Sequence, residues 1–233
     1  MGKRVIKRLH NQTYSLTVEG ECEKLYFNHL KKLINNEEKR IANCQYEPSI
    51  SVKKNPLKQA KALNGYSNKF FHIQDIEDYD DEFQRNKFLD LIHDIKEANK
   101  YVKYKLGYTN YTFDLWVVLH KRSMTHTLPN RKQYIKYINE CYNTDYQHID
   151  EYKEEENFKK ILEQITLADV YTAVRRAKVI RECNENKTCC VQNQKLIEHC
   201  NYKFYSVNPD LDIHEVIEEI LNDCLGKNYK NNY

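Results

Sequence analysis

Acidic side chains follow two short apolar runs in this chain of 233 residues. Glu19 stands after the first run, and Asp75, Glu77 and Asp78 stand after the second. Carboxylates that cluster repel one another, so they take up protons or bind a cation between them. Carboxylate oxygens suit Mg²⁺ or Mn²⁺, and such an ion polarises phosphoryl oxygens. The pattern therefore indicates a metal site for phosphodiester chemistry, provided that both runs end at one edge of one sheet.

The alternative explanation of these acids is structural. Asp and Glu are common where a strand hands over to a helix, because they cap the helix and interact with its dipole. Glu19 alone would be ordinary in that place, and so would the acids after the second run. Only the paired placement favours a metal site, in which a carboxylate not fully committed to the metal would act as general acid or base.

The sequence around these acids predicts alternating strands and helices. Predicted strands cover 14–18, 48–53, 69–73 and 108–112, and predicted helices cover 21–38, 56–64 and 81–104. Asn55 and Pro56 are typical of a helix start, and Gly65 of a helix end. After Pro129 the amphipathic spacing predicts helices almost throughout. This order favours an α/β fold, with a parallel sheet in a domain of residues 1–125 and a helical region over 126–233 packed on it.

A third block, "TFDLWVVLHK", carries two further candidates, Asp114 and His120. Periodicity alone does not decide whether residues 113–121 continue a strand or form a helix. On a strand the even spacing would place both side chains on one face, whereas on a helix they would point to different sides. The apolar residues between them are expected in the core.

Composition restricts the class of protein. The 5 glycines and 4 prolines favour long helices, and a net charge of +3 does not indicate a strongly charged partner. Eight cysteines at irregular spacings, without an apolar leader or a run that could span a bilayer, predict reduced thiols, a cytoplasmic location and no membrane. The cysteines and histidine between Cys183 and Cys200 lack the paired spacing of zinc modules.

Two basic clusters could contact a nucleic-acid backbone, because phosphate contacts need only such donors. The candidates are Arg131, Lys132, Arg175, Arg176, Lys178 and Arg181. A solvated helix face is the alternative for each cluster. No phosphate-binding G-x-x-x-x-G-K-[ST] loop occurs, so we do not expect this chain to hydrolyse ATP itself.

Three motifs resemble a known family. "LTVEGECEKLYFNHL" is similar to the first motif of Toprim domains, in which a glutamate-glycine pair ends the first strand, and "HIQDIED" is similar to their second, acidic motif. In this order, "VEGECEKLYF", "IQDIEDYDD" and "TFDLWVVLHK" resemble the RloB-like (AbiLii-type) branch of the Toprim superfamily. The resemblance covers residues 14–121 and implies a small Rossmann-like Toprim domain with a helical C-terminal part.

The resemblance also implies roles for individual residues. Glu19 matches the catalytic glutamate, and Asp75, Glu77 and Asp78 match the metal-binding acids, with Glu77 where aspartate is usual. Asp114 stands where the family has glutamate, and His120 matches the last histidine of the third block; both are expected in the catalytic group.

The resemblance and the departure at position 77 lead to two alternative functions. The first is a Mg²⁺- or Mn²⁺-dependent nuclease that cleaves RNA, tRNA or DNA in prokaryotic anti-phage defence (abortive infection), together with an ABC-type ATPase. The second is a catalytically inactive subunit that keeps the fold and binds nucleic acid or a partner protein; the glutamate at position 77 motivates it.

Overall fold

A computed structural model describes residues 10–38, 40–41, 44–52, 55–63, 69–187 and 194–227. The strands are β1 (His10–Val18), β2 (Cys44–Val52), β3 (Lys69–Asp75), β4 (Tyr104–Asn110), β5 (Leu196–His199), β6 (Tyr202–Tyr205) and β7 (Asp210–Leu211). The helices are α1 (Glu21–Asn36), α2 (Pro56–Ala62), α3 (Glu82–Ala98), α4 (Asp114–Leu119), α5 (Tyr134–Tyr142), α6 (Ile149–Lys153), α7 (Glu155–Glu163), α8 (Leu167–Asn186) and α9 (Ile213–Leu225).

The main sheet has the order β2-β1-β3-β4-β7. The first four strands are parallel, and β7 adds an antiparallel edge through the pairs Thr109–Leu211 and Asn110–Asp210. The predicted α/β fold with a small parallel sheet is therefore confirmed. Helix α1 connects β1 to β2 on one face of the sheet, whereas α3 connects β3 to β4 on the opposite face. The strand order thus reverses between β1 and β3, which is where α/β sheets form their crevice.

Local chemistry accounts for the helices beside this crevice. The Asn55 side chain accepts a hydrogen bond from the backbone N–H of Lys58 at 2.9 Å, and Pro56 takes the first position of α2. Asp81 caps α3 in the same way through the N–H of Gln84. These starts agree with the sequence prediction, because capping is a local property. Gly65 lies outside the described residues.

The sequence prediction was wrong in two places. Helix α3 ends at Ala98 rather than near Tyr104, and Tyr104 begins β4. The C-terminal part is not almost wholly helical, because β5 and β6 form a hairpin and β7 joins the main sheet. Strands of two to four residues are too short to show a period. The sequence left residues 113–121 undecided between strand and helix, and the structure shows a helix over 114–119, which separates Asp114 from His120.

Two apolar cores cover the two faces of the sheet. One unites β1 with α1 and with α4 to α9, and the other unites α2 and α3 with the β5–β6 hairpin. Gly107 lets α9 approach β4 closely, because a Cβ there would lie 3.0 Å from side-chain atoms of Ile73 and Val216 and 3.2 Å from the Ile213 Cα. Among the described residues, no helix has the length and apolar character needed to cross a bilayer.

Candidate active site

Glu19 and Asp75 meet at the carboxyl edge of the sheet. Glu19 immediately follows β1, Asp75 ends β3, and these strands are hydrogen-bonded neighbours. The Glu19 Oε2 accepts a hydrogen bond from the backbone N–H of Asp75 at 3.1 Å and another from the side chain of Gln74. Its Oε1 lies 3.2 Å from the Lys87 Nζ on α3. The sequence prediction brought these two acids to one edge, and the structure places them there.

Glu23 is a third acid at this edge, and the sequence analysis missed it. It lies in the first turn of α1, is 7% exposed, and accepts a hydrogen bond from the Gly20 N–H at 3.0 Å. A visible signal existed, because Glu23 stands in the buried stripe of α1 that continues with Tyr26, Phe27 and Leu30. A carboxylate on an apolar helix face is unusual and indicates a special environment.

Burial and mutual repulsion perturb the titration of these acids. Burial raises the pKa of Asp75 well above its usual range, and the charges of Glu23 and Glu19 raise it further. Burial also raises the pKa of Glu23 to about 7, with Glu19 and Asp114 adding to the shift. Buried acidic groups whose charges perturb one another's pKa are characteristic of functional sites.

Asp114 and Lys153 form an ion pair beside these acids. Asp114 begins α4 and is 2% exposed, and its Oδ2 lies 3.1 Å from the Lys153 Nζ. Burial opposes the charge of Lys153, but nearby Asp114 and Asp75 raise the pKa of this lysine above its usual range. Thr109 at the end of β4 donates a hydrogen bond to the Asp75 carboxylate. Neither Lys153 nor Thr109 carries a sequence signal, since each belongs to a segment without a motif.

The donor set can be compared with the needs of a divalent cation. Among the described residues, no three His, Cys, Asp or Glu side chains are placed so that they could hold a metal ion together. The chemistry of Glu19, Glu23 and Asp75 nevertheless suits a hard cation, because all three offer oxygen ligands and an ion would relieve their repulsion. These residues therefore fit Mg²⁺ or Mn²⁺ by donor type.

Glu77 and Asp78, the other acids expected to bind metal, have different surroundings. Glu77 adopts a left-handed backbone conformation (φ 59°), and its Oε1 lies 3.4 Å from Arg131. Asp78 is exposed, and its carboxylate accepts a hydrogen bond from the N–H of Asp80. The acids that act most strongly on Asp75 are Glu23 and Glu19.

His120 does not reach this site, which corrects its expected catalytic role. It is 1% exposed, and its Nδ1 hydrogen-bonds to the Trp116 carbonyl at 2.8 Å, while its Nε2 lies 3.2 Å from the Tyr26 hydroxyl. Because α4 is a helix, the six-residue spacing turns His120 into the core while Asp114 faces the acids.

The basic residues predicted to bind nucleic acid divide into those with partners inside the protein and those at its surface. Arg176 donates to the Leu119 carbonyl, Lys178 pairs with Glu218, and Arg181 pairs with buried Asp210. Arg181 therefore has a structural role, which corrects its assignment to a nucleic-acid surface.

The remaining basic candidates are Arg131, Lys132 and Arg175, whose side chains lie at the surface. Arg131 faces Glu77, and Arg175 lies over the ring of Tyr171 at 5.6 Å. Cys189 and Cys190 of the cysteine-rich segment lie outside the described residues.

A cavity of about 830 Å³ opens beside the acids. Glu19 and Asp75 line it together with residues of α3, and buried His72 is also part of its wall. Its volume is in the range of small-ligand pockets. The acidic edge is thus accessible to a substrate from the α3 side.

The titration of Glu23 leads to a prediction about stability. The folded protein retains a proton that the unfolded chain releases above pH about 4.5, so Glu23 lowers the free energy of unfolding as pH rises toward 7. We expect Glu23→Gln to become more stable than the wild type over that window, by roughly 1.4 kcal/mol per pH unit at most. Denaturant unfolding of both proteins without divalent ions, at several pH values, measures the difference.

The difference between variant and wild type is the quantity to measure, because three buried histidines change the stability of both proteins with pH in the direction opposite to Glu23. Burial lowers the pKa of His72, His120 and His214 to about 4, so they lower stability as pH falls.

Glu21→Gln, on the exposed side of the same helical turn, should follow the wild type at every pH. An equal response from Glu21→Gln and Glu23→Gln would contradict the assignment.

Comparison with known proteins gives one positive result. A family model described as RloB-like protein matches residues 14–220. No curated protein and no solved structure matches the chain significantly.

Proposed function

Because the chain belongs to the RloB-like family, we propose that it is a Mg²⁺-dependent nuclease of the Toprim type. The observation that supports this proposal is the meeting of Glu19, Glu23 and Asp75 at the crevice between β1 and β3. These acids come from three segments and share a partly buried environment, and two of them, Glu19 and Asp75, line a cavity. Their arrangement suits phosphodiester cleavage, in which a bound cation and a carboxylate base act on the same phosphate.

Each residue of the site has a role in this proposal. Asp75 and Glu23 would hold Mg²⁺, with waters as its other ligands, and the ion when bound would polarise a phosphoryl oxygen and stabilise the leaving oxygen. Glu19, at the cavity edge, accepts the proton of the attacking water, and the phosphorus–oxygen bond to the leaving group breaks. Lys153 keeps Asp114 in place and adds positive charge next to Asp75, where the phosphate would lie.

Purified protein with Mg²⁺ or Mn²⁺ and mixed RNA, tRNA and DNA tests the proposal. We expect cleavage that requires the metal and falls at least roughly 100-fold in Glu19→Gln, because the variant loses a charged group at the reacting phosphate. Glu21→Gln is a matched control, since Glu21 belongs to the same motif but faces solvent and pairs with Lys24. It should retain wild-type activity.

Other outcomes would point elsewhere. Metal-dependent cleavage that survives in Glu19→Gln would exclude this site as its source. Binding of nucleic acid without cleavage by the wild type would instead favour the inactive subunit that keeps the fold.

The proposal extends to the biological setting. We place the nuclease in prokaryotic anti-phage defence, as an effector that acts with an ABC-type ATPase. The resemblance of the three motifs supports this setting, and so does the missing phosphate-binding loop, because a partner would then supply nucleotide hydrolysis. The target, whether RNA, tRNA or DNA, follows from the substrate panel above.

A further inference from the structure

Phe83 is an exposed aromatic residue at the rim of the active-site cavity. Its exposed fraction is 73%, the highest among the large apolar residues that the structure describes as exposed. It lies in the first turn of α3, and Lys87 follows one helical turn later on the same side. Both line the cavity, and Lys87 contacts Glu19. Phe83 therefore extends the acidic edge by an apolar ring that a ligand could cover.

The charge of the cavity limits what can enter it. Among its described lining residues are four carboxylates, those of Glu19, Asp75, Asp90 and Asp94, and one lysine, Lys87. This lining disfavours a row of phosphates inside the cavity, because like charges in a cleft repel. It suits the edges of nucleobases, whose amino and imino groups donate hydrogen bonds to carboxylates.

The Phe83 ring favours ligands in which the flat face of a nucleobase is exposed. In a duplex, neighbouring base pairs cover those faces and only the edges are open in the grooves. Unpaired bases can turn out and stack on aromatic side chains, which is how proteins bind single strands. An exposed ring beside a cavity large enough to admit a base thus matches an unpaired nucleotide.

We propose that the cavity binds an unpaired nucleobase that stacks on Phe83, so that the substrate is single-stranded nucleic acid. The base enters the cavity between Phe83 and His72, and the backbone phosphate stays outside it near Lys87 and the acids at the strand ends. This inference rests on the proposed nuclease site, because the phosphate next to the bound base is then the one that is cleaved.

Binding without turnover tests the inference. Fluorescence anisotropy would follow short labelled single strands of RNA and DNA, and the same sequences as duplexes, with Ca²⁺ in place of Mg²⁺. We expect Phe83→Ala to weaken single-strand binding roughly 5- to 150-fold and to leave duplex binding unchanged. Phe83→Trp should retain binding, and Phe83→Leu should not, because stacking needs a ring.

Tyr101→Ala is the matched control. Tyr101 is an exposed aromatic residue (38%) that follows α3 and does not line the cavity. Its substitution should leave all affinities unchanged.

The possible outcomes separate this inference from the nuclease proposal. Unchanged affinity of every oligonucleotide in Phe83→Ala would overturn the inference and assign the ring to a protein contact. Equal weakening for single strands and duplexes, or no single-strand binding by the wild type, would overturn it as well. Phe83-dependent binding without any cleavage in Mg²⁺ would support this inference while refuting the nuclease. Cleavage of duplexes alone would refute this inference and leave the nuclease standing.

Discussion

Asp75→Asn should abolish metal-dependent cleavage and at the same time make the protein more stable. The asparagine keeps an oxygen that accepts the hydrogen bond from Thr109 but loses the charge that would hold the cation. We expect activity to fall by more than the roughly 10- to 100-fold typical for groups that only support a metal site, because Asp75 would itself be a ligand. Cleavage assays at saturating Mg²⁺, with folded protein confirmed by circular dichroism, measure the loss.

The gain in stability has a separate cause. Burial raises the pKa of Asp75, and Glu23 and Glu19 raise it further, so its ionisation becomes a cost to the fold as pH rises. The asparagine removes that cost, and the gain should therefore grow with pH when no divalent ion is present. Mg²⁺ should raise the melting temperature of the wild type more than that of Asp75→Asn. A variant that is inactive but destabilised would show that Asp75 is needed for folding rather than for metal binding.

Asp78→Asn is the control that decides the ligand set. Asp78 follows the same strand but is exposed, and we expect its substitution to leave activity and stability unchanged. A loss of activity equal to that of Asp75→Asn would restore Asp78 to the metal site, as the motif predicts.

Arg181→Ala should cost about 3–5 kcal/mol of the free energy of unfolding, because it leaves a buried carboxylate without its partner. The Arg181 Nη1 lies 3.1 and 3.0 Å from the two carboxylate oxygens of Asp210, which is 0% exposed. Its Nη2 donates to the Lys203 carbonyl, so one side chain ties α8 to β6 and β7. Urea unfolding measures the effect.

The cost should depend on pH in a defined direction. Burial raises the pKa of Asp210 although Arg181 lowers it, so the carboxyl can take up a proton once the arginine is gone. The destabilisation by Arg181→Ala should therefore decrease as pH falls.

Two further variants test whether the loss of stability comes from the buried ion pair. Arg175→Ala, on the same helix, should change stability by less than roughly 0.5 kcal/mol, because Arg175 lies at the surface. The double variant Arg181→Ala with Asp210→Asn should recover part of the loss. Equal destabilisation by Arg175→Ala and Arg181→Ala would contradict the buried ion pair.

The sequence predicted the parts of the fold and site that depend on local patterns. Strand–helix alternation, the cap Asn55, the start of a helix at Asp81, and the position of Glu19 and Asp75 after strands all follow from short segments. Glu23 could have been found too, because it interrupts an apolar helix face. The pairing of Arg181 with Asp210 could not, since an amphipathic helix shows which residues are polar but not which element will cover them.

Lys153 and Thr109 show where sequence reasoning ends for the site. Lys153 is 39 residues from Asp114 in the chain, and the packing of α6 on α5 and α7 brings the two side chains together. The predicted catalytic role of His120 failed for the opposite reason. The family motif includes this residue, but the helical geometry of α4 directs it into the core. A motif identifies residues that occur together, and only the backbone decides which of them face the same space.

The close approach of α9 to β4 at Gly107 has a consequence for the newly made chain. Strand β4 carries Thr109 to the acids, yet its outer edge and one of its faces are covered by β7 and α9, residues 210–225. During translation the early strands leave the ribosome long before these residues. The acidic crevice therefore gains its full support only after residues 210–225 have emerged and packed on β4.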